Sequence, residues 1–274
     1  MNIGMRAHDF PTMSITALSE KCKEYDIKCI QLALAKSMPD IKPGMFSPEF
    51  AKYIKAELDK NNVSIGVLGC YINPVDCNEG RLKDSLAYFV ENLKYARFLN
   101  AGMVGLETGF VGEAPDAEKD QSEEAYQKLL KNMRYLTDNA EKLGVMIGIE
   151  GVSCFVINSP QKMKRIIDDL DSPNILTIFD PINYLNDSNY QNQDKIIEEA
   201  FELLGDRMAA IHVKDYDVVD GHIKGVVPGD GRMNFEHLIS LAEKYKPNIP
   251  FLLEGVTEEN INKVREMLLS KAVK

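Results

Sequence analysis

Short apolar runs alternate with longer stretches of helical periodicity along this chain, and the alternation restricts its fold more than any other feature. The apolar runs have the near-continuous composition of strands that are covered on both faces. They are Ile3–Ala7, Ile27–Leu34, Val63–Tyr71, Gly102–Leu106, Val145–Ile149, Ile175–Phe179, Met208–Val213 and Phe251–Leu253. The helical stretches between and after them are Ser14–Tyr25, Pro48–Asn61, Leu82–Leu99, Glu123–Leu143, Ser159–Leu170, Gln193–Leu204, Phe235–Tyr245 and Glu258–Ser270. This order predicts an α/β fold, a (β/α)8 TIM barrel.

A doubly wound open sheet also alternates strands and helices, but it usually has fewer units and a glycine-rich turn after its first strand. Here the first run continues into Arg6–Asp9, which contains no glycine. A length of 274 residues is normal for one barrel, and no linker-like composition marks a boundary. We therefore predict one domain over residues 1–274. Long connections are expected at Thr108–Gln121 and Tyr216–Asn234, where functional loops are common.

Composition narrows the class of protein. The formal net charge of −10 disfavours binding to nucleic-acid phosphates. No apolar stretch approaches the roughly 20 residues that a membrane-spanning helix needs, and the N-terminus resembles a strand more than a signal peptide. The five cysteines show no zinc-ribbon spacing and are expected to be reduced thiols. We predict a cytoplasmic enzyme with a small-molecule substrate and without nucleic-acid or membrane partners.

Four potential metal ligands follow four of the predicted strands. They are Glu150, Asp180, His212 and Glu254. Alone, each has a simpler explanation, because a carboxylate can cap a helix or pair with lysine and a histidine can lie in the core. A parallel barrel, however, gathers the carboxyl ends of its strands into one bowl. Together, these side chains predict a hard, oxygen-rich site for a divalent ion.

Five segments of the chain resemble the xylose isomerase-like TIM-barrel superfamily of sugar phosphate isomerases and epimerases. They are Gly148–Glu150, Phe179–Asn183, Ile211–Asp215, Val227–Gly231 and Leu253–Gly255. The similarity is greatest to the ketose 3-epimerase and hydroxypyruvate isomerase branches and extends over essentially the whole chain. It implies that Glu150, Asp180, His212 and Glu254 bind the metal. It also implies that Glu150 and Glu254 act as catalytic acid and base.

Several other polar residues are predicted to contact the substrate. His8 follows the first strand, and Lys214 lies two residues beyond His212, on the same strand face. Glu107 ends the fourth strand, where it can bind a substrate hydroxyl or amine or form an ion pair at the rim.

The remaining candidates occur where the chain departs from the epimerases. Those enzymes commonly have a substrate-binding histidine three residues after the metal-binding aspartate, whereas this chain has Asn183. Their arginine upstream of the Pro-Gly-x-Gly segment is replaced in this region by His222 and Lys224. We include all three as candidate substrate-binding residues.

The predicted function is a divalent-metal-dependent isomerase or epimerase of a small sugar or sugar derivative. The metal would stabilise a cis-enediolate formed by removal of a proton next to a carbonyl. Return of the proton to the opposite face gives epimerisation, and return to the adjacent carbon gives aldose–ketose isomerisation. Mn²⁺ is the expected ion, although such ligands also accept Co²⁺, Mg²⁺ or Zn²⁺.

The sequence is also compatible with other functions. The same ligands suit a dehydratase or lyase that acts on a keto-inositol-like ring. A DNA-repair endonuclease is disfavoured by the acidic balance and by the presence of only four histidines. A non-catalytic sugar-binding barrel is disfavoured by the two glutamates. The sequence leaves open the identity of the substrate, its phosphorylation and the oligomeric state, whether monomer, homodimer or tetramer.

Overall fold

The computed structural model describes residues 1–38, 40–42 and 44–272. The strands within them are β1 (Asn2–Arg6), β2 (Cys29–Leu32), β3 (Ser64–Gly69), β4 (Met103–Glu107), β5 (Ile147–Glu150), β6 (Ile175–Phe179), β7 (Met208–Val213), β8 (Asp215–Val219), β9 (His222–Val226) and β10 (Pro250–Leu253). All except β8 and β9 form one closed parallel barrel, in the order β1-β2-β3-β4-β5-β6-β7-β10, with β10 paired to β1. The predicted (β/α)8 fold is confirmed, whereas the single domain over residues 1–274 stays a prediction.

Helices connect the barrel strands. They are α1 (Ile15–Glu24), α2 (Leu34–Ser37), α3 (Pro48–Asp59), α4 (Glu79–Leu99), α5 (Ala117–Asp120), α6 (Glu123–Leu143), α7 (Pro160–Leu170), α8 (Gln193–Leu204), α9 (Phe235–Tyr245) and α10 (Ile261–Lys271). Serine side chains cap the first turns of α1, α3 and α7, where Ser14, Ser47 and Ser159 each accept a hydrogen bond from the backbone N–H three residues later. No helix in the described ranges has both the length and the apolar character needed to cross a membrane.

Apolar side chains pack on both sides of the strands. The larger cluster lies between the barrel and its helices and includes Phe89, Leu129 and Phe201. The smaller one fills the inside of the barrel and is formed by Cys29, Val67, Met103, Ile178, Ala210 and Leu252. The barrel is therefore a packed core rather than a pore, and polar chemistry is confined to its ends.

The connection after β7 differs from the sequence-based expectation. Residues 216–234 were expected to be a loop, but β8 and β9 form an antiparallel hairpin there. Asp220 and Gly221 at its tip both have positive φ angles, of 53° and 84°. Positive φ at both central residues is the geometry of a type I′ turn, for which Asp-Gly is a preferred pair. The Asp-Gly pair was thus the available signal for the hairpin.

Candidate metal and substrate site

The carboxyl end of the barrel carries a layer of polar side chains. Side chains at alternate strand residues face the same side. Four polar residues each lie two positions beyond a member of the smaller apolar cluster, which fills the inside of the barrel and is called the interior cluster below. They are Gln31, Asp180, His212 and Glu254. Glu150 lies two positions beyond Gly148, whose missing side chain would collide with Met103 and Ile178 inside the barrel. Strand periodicity therefore directs all five side chains into the barrel mouth.

The four predicted metal ligands meet around one imidazole nitrogen. His212 Nδ1 lies 3.2 Å from Glu150 Oε1, 3.7 Å from Asp180 Oδ2 and 3.1 Å from Glu254 Oε2. Glu150, Asp180 and His212 can each offer a ligand atom within 4.8 Å of the others. All four residues are buried. Three buried carboxylates that converge on one nitrogen form a donor set that fits a divalent cation.

Two basic side chains partly balance this negative charge. Lys214 Nζ lies 2.7 Å from Asp180 Oδ2 and 2.7 Å from Glu254 Oε1, and Arg6 Nη1 lies 2.5 Å from Glu254 Oε1. Burial lowers the pKa of Lys214, but the charges of Asp180 and Glu254 outweigh it, and the net pKa is raised. Lys214 is therefore a cation at neutral pH. Arg6 was not predicted from the sequence as a partner of the cluster.

Asn183 joins the cluster through its side-chain amide. Its Nδ2 donates to Glu150 Oε1 at 2.7 Å, and its Oδ1 accepts from Lys214 Nζ at 3.2 Å. The backbone N–H groups of Ile182 and Asn183 donate to Asp180 Oδ1, so the turn after β6 also fixes this aspartate. Two predicted substrate-binding residues, Asn183 and Lys214, thus lie within the cluster.

His8 and Glu107 are half-buried candidates with altered pKa values. Burial, assisted by the charge of Arg6, lowers the pKa of His8 to about 4, so its imidazole is neutral at pH 7. Its ring packs edge-on against Tyr71, with centroids 5.9 Å apart. Burial and the charge of Glu150, its register partner on β5, raise the pKa of Glu107 to about 7. At neutral pH Glu107 can therefore either donate or accept a proton.

His222 and Lys224 lie on the hairpin strand β9, with exposed side chains. His222 Nδ1 is 2.7 Å from Asp187 Oδ2, and Asp187 Oδ1 accepts from the N–H of Ile223. Asp187 thereby attaches the hairpin to the connection after β6. The structure does not bring either candidate into the contacts around His212.

Gln31 contacts the cluster directly but was not among the residues predicted from the sequence. Its Oε1 lies 2.7 Å from His212 Nε2, on the side of the ring opposite the carboxylates. Its Nε2 donates to Tyr71 Oη at 2.6 Å. The available signal was its position, since Gln31 is a polar residue inside the apolar run of β2, where an unpaired amide is costly.

Comparisons with known proteins agree with this architecture. A family model described as xylose isomerase-like TIM barrel matches residues 19–271. A putative L-ribulose-5-phosphate 3-epimerase, SgbU of Haemophilus influenzae, is 28% identical over 155 residues, which cover 55% of this chain and 52% of that protein. The chain thus spans about half the length of this relative in the match.

Solved structures share the fold at lower identity. A D-tagatose 3-epimerase-like protein superposes with a TM-score of 0.76 at 20% identity, over 99% of this chain and 97% of that one. The IOLI protein with a bound zinc atom gives a TM-score of 0.74 at 14% identity, over 99% and 96% of the two chains. At these identities the similarity shows the fold alone. The family model covers most of the sequence, and the chain belongs to the xylose isomerase-like TIM-barrel family.

Proposed function

We propose that this protein is a divalent-metal-dependent isomerase or epimerase of a small sugar or sugar derivative. The observation that carries the proposal is the approach of three carboxylates, each from a different strand end, to His212 Nδ1 at 3.1 to 3.7 Å. Membership of the family and the similarity to a putative epimerase support the same reaction class.

The residues present suit the ion that this chemistry needs. Glu150, Asp180, His212 and Glu254 would hold it, and their oxygen-rich set favours Mn²⁺, with Co²⁺, Mg²⁺ and Zn²⁺ as alternatives. When bound, the ion would polarise the substrate carbonyl as a Lewis acid and stabilise the oxyanion of the cis-enediolate. The zinc in the IOLI structure supports a divalent ion in this fold.

The two glutamates are proposed to transfer the proton. Glu150 ends β5 and Glu254 follows β10, and the strands β6 and β7 separate them around the barrel. The two carboxylates therefore reach the bowl from different directions. An acid and a base that approach a substrate carbon from different sides are the arrangement that epimerisation requires.

Neighbouring polar groups would orient the substrate. Lys214 and Asn183 hold the oxygens of the metal ligands and can also donate to substrate oxygens above them. The neutral imidazole of His8 and the carboxyl of Glu107 lie near the rim. These four residues offer donors and acceptors at several positions, which suits a polyhydroxylated carbon chain.

Metal analysis combined with solvent exchange tests the proposal. The protein is purified without chelator, its metal content is measured, and it is then incubated in D₂O with a panel of ketoses, aldoses and keto-inositols. We expect about one divalent ion per chain and incorporation of deuterium next to the carbonyl of at least one sugar. His222→Ala, which changes an exposed histidine outside the cluster, should retain the metal content.

Two results would reject the proposal. One is a metal content that is the same in wild type and in a folded His212→Ala variant, because that variant lacks the nitrogen at the centre of the cluster. The other is deuterium incorporation that EDTA does not slow. Exchange with the keto-inositols alone, accompanied by loss of water from the substrate, would instead identify a dehydratase.

A further inference from the structure

Gln31 places a buried amide between the candidate metal site and the wall of the barrel mouth. It is only 2% exposed and lies on β2, two residues beyond Cys29 of the interior cluster. Both ends of the amide have a partner: its oxygen is 2.7 Å from His212 Nε2 and its nitrogen is 2.6 Å from Tyr71 Oη. The amide lies with its oxygen toward the imidazole and its nitrogen toward the phenol, so it accepts from His212 and donates to Tyr71.

This orientation favours a proton on Nε2 of His212 when a metal occupies Nδ1. A neutral imidazole has one N–H donor and one acceptor nitrogen. The amide oxygen of Gln31 can only accept, so Nε2 carries a proton, and Nδ1, which faces the three carboxylates, is the nitrogen left for a cation bound among them. If the amide were reversed, its NH₂ would donate to Nε2. The proton would then move to Nδ1, where it would exclude a cation.

Tyr71 is the group that keeps the amide in place. Its hydroxyl accepts from Gln31, and its ring is held on two sides. His8 packs against it edge-on at 5.9 Å, and Lys36 Nζ lies 3.8 Å from the ring centroid. A cation over an aromatic face is attractive, so the ring has contacts independent of the amide.

On the basis of the proposed metal-dependent function, we propose that Gln31 is a positioning residue that fixes His212 as an Nδ1 ligand, with Tyr71 as its support. Metal-binding histidines generally donate their second N–H to an acceptor, and loss of that acceptor weakens metal binding about 10- to 100-fold. The acceptor here is an amide, which fixes the tautomer without adding a fourth negative charge to the cluster.

Metal affinity and tautomer, measured without any substrate, test the inference. Gln31→Met keeps the length of the side chain but removes both polar ends. We expect its dissociation constant for Zn²⁺, measured by chelator competition, to rise about 10- to 100-fold. Gln31→Glu keeps an acceptor for Nε2–H and can receive the Tyr71 hydroxyl proton, so we expect it to bind at least as tightly as wild type. Cys29→Ala is the matched control. Cys29 lies on the same strand, two residues before Gln31, and its side chain packs inside the barrel, so this variant should bind the metal like wild type.

The coordination of His212 is read separately from long-range ¹⁵N–¹H correlations of the ¹⁵N-histidine-labelled, Zn²⁺-loaded protein. Wild type should show a protonated Nε2 and a metal-bound Nδ1, and Gln31→Met a mixture of forms bound through either nitrogen. If Gln31→Met does not fold, Tyr71→Phe replaces it and should show a weaker loss of affinity in the same direction. Wild-type affinity together with a wild-type tautomer in the folded variant would overturn the role of Gln31 and leave the proposed function intact. A wild-type protein that binds no divalent ion would overturn both.

Discussion

Glu254 has the largest number of charged contacts among the residues that meet at His212. Its carboxylate lies 3.1 Å from His212 Nδ1, 2.7 Å from Lys214 Nζ and 2.5 Å from Arg6 Nη1. Burial acts to raise its pKa, but His212, Lys214 and Arg6 together hold the pKa well below its ordinary value. The side chain is therefore ionised at neutral pH, as both a metal ligand and a base must be.

Glu254→Gln tests the proposed role of this carboxylate in proton transfer. The amide has nearly the same shape but cannot take up a proton, so we expect the rate of α-proton exchange to fall by about 10²- to 10⁴-fold. The measurement is deuterium incorporation into the best substrate, followed by NMR. Glu258→Gln, which changes a surface glutamate paired with Lys21, should exchange at the wild-type rate. Unaltered turnover in Glu254→Gln would favour a non-catalytic sugar-binding barrel.

Glu107 gives a prediction for pH dependence. Burial, then repulsion by Glu150, raises its pKa from 4.5 to about 7. Between these values the folded state retains a proton that the unfolded state has lost, so this residue makes stability fall as pH rises from 4.5 to 7. Glu107→Gln removes the effect. Above pH 7, the free energy of unfolding of the Glu107→Gln variant should exceed that of wild type by up to about 3 kcal/mol. Below pH 4.5, the two free energies should be nearly equal.

Urea denaturation of the metal-free proteins at pH 4.5, 6 and 8 measures this difference. Glu243→Gln, on the exposed face of α9, is the control and should give a difference independent of pH. A Glu107→Gln difference that stays constant over this range would contradict the raised pKa.

The contacts around His212 differ in how well they can be predicted from the sequence. Glu150, Asp180 and Glu254 each stand at or directly after the end of an apolar run, so their approach follows from the barrel alone. Gln31 lies inside such a run and Arg6 ends β1, and nothing local shows that their partners are His212 and Glu254. Those contacts depend on barrel closure and on the stagger between strands, which bring together residues 181 and 248 positions apart.

At the level of elements, the strand and helix predictions succeeded where periodicity is strong. The predicted bounds of β6, β7, α6, α8 and α9 agree with those of the structure. The predicted strand Ile27–Leu34 is shorter in the structure, because Leu34 begins the one-turn helix α2. The hairpin was missed because its strands are polar and partly exposed, and they lack the apolar run that marks the barrel strands.

Asp215 holds the base of this hairpin. Its carboxylate accepts from the backbone N–H groups of Tyr216, Gly229, Gly231 and Met233. A side chain at Gly231 would collide with this carboxylate, so the glycine permits the close approach. The function of the aspartate is thus to shape the connection from β7 to α9.

Asp215→Ala should destabilise the protein by about 2–4 kcal/mol, because it leaves four N–H groups without an acceptor, those of Tyr216 and Met233 being buried. Urea denaturation measures the loss, and hydrogen exchange at Gly229, Gly231 and Met233 should locate it. Asp217→Ala, in the same hairpin, removes a surface ion pair with Arg232 and the side-chain acceptor of the Val218 N–H, and should cost about 1 kcal/mol or less. Equal stability of the two variants would show that the carboxylate of Asp215 is not required.

For the whole molecule, the barrel concentrates charge that is dispersed along the chain. Glu150, Asp180 and Glu254 are separated by 30 and 74 positions in sequence, yet their oxygens all lie within 3.7 Å of one nitrogen. Lys214 and Arg6 balance part of this negative charge. The negative charge that is not balanced favours the binding of a cation. A cation that needs all four ligands can bind only the folded state.

Divalent metal should therefore raise the thermal stability of the whole barrel. At a free ion concentration 100 times the dissociation constant, the expected stabilisation is about 2.7 kcal/mol, because the ion binds the folded state and not the unfolded one. For a domain of this size, that corresponds to an increase in the unfolding midpoint of roughly 5–10 °C. The measurement is thermal unfolding by circular dichroism in EDTA and in Mn²⁺. His222→Ala should show the full increase and His212→Ala little or none, because of these two histidines only His212 is a proposed ligand. An equal increase in His212→Ala would mean that the ion stabilises the protein from another site.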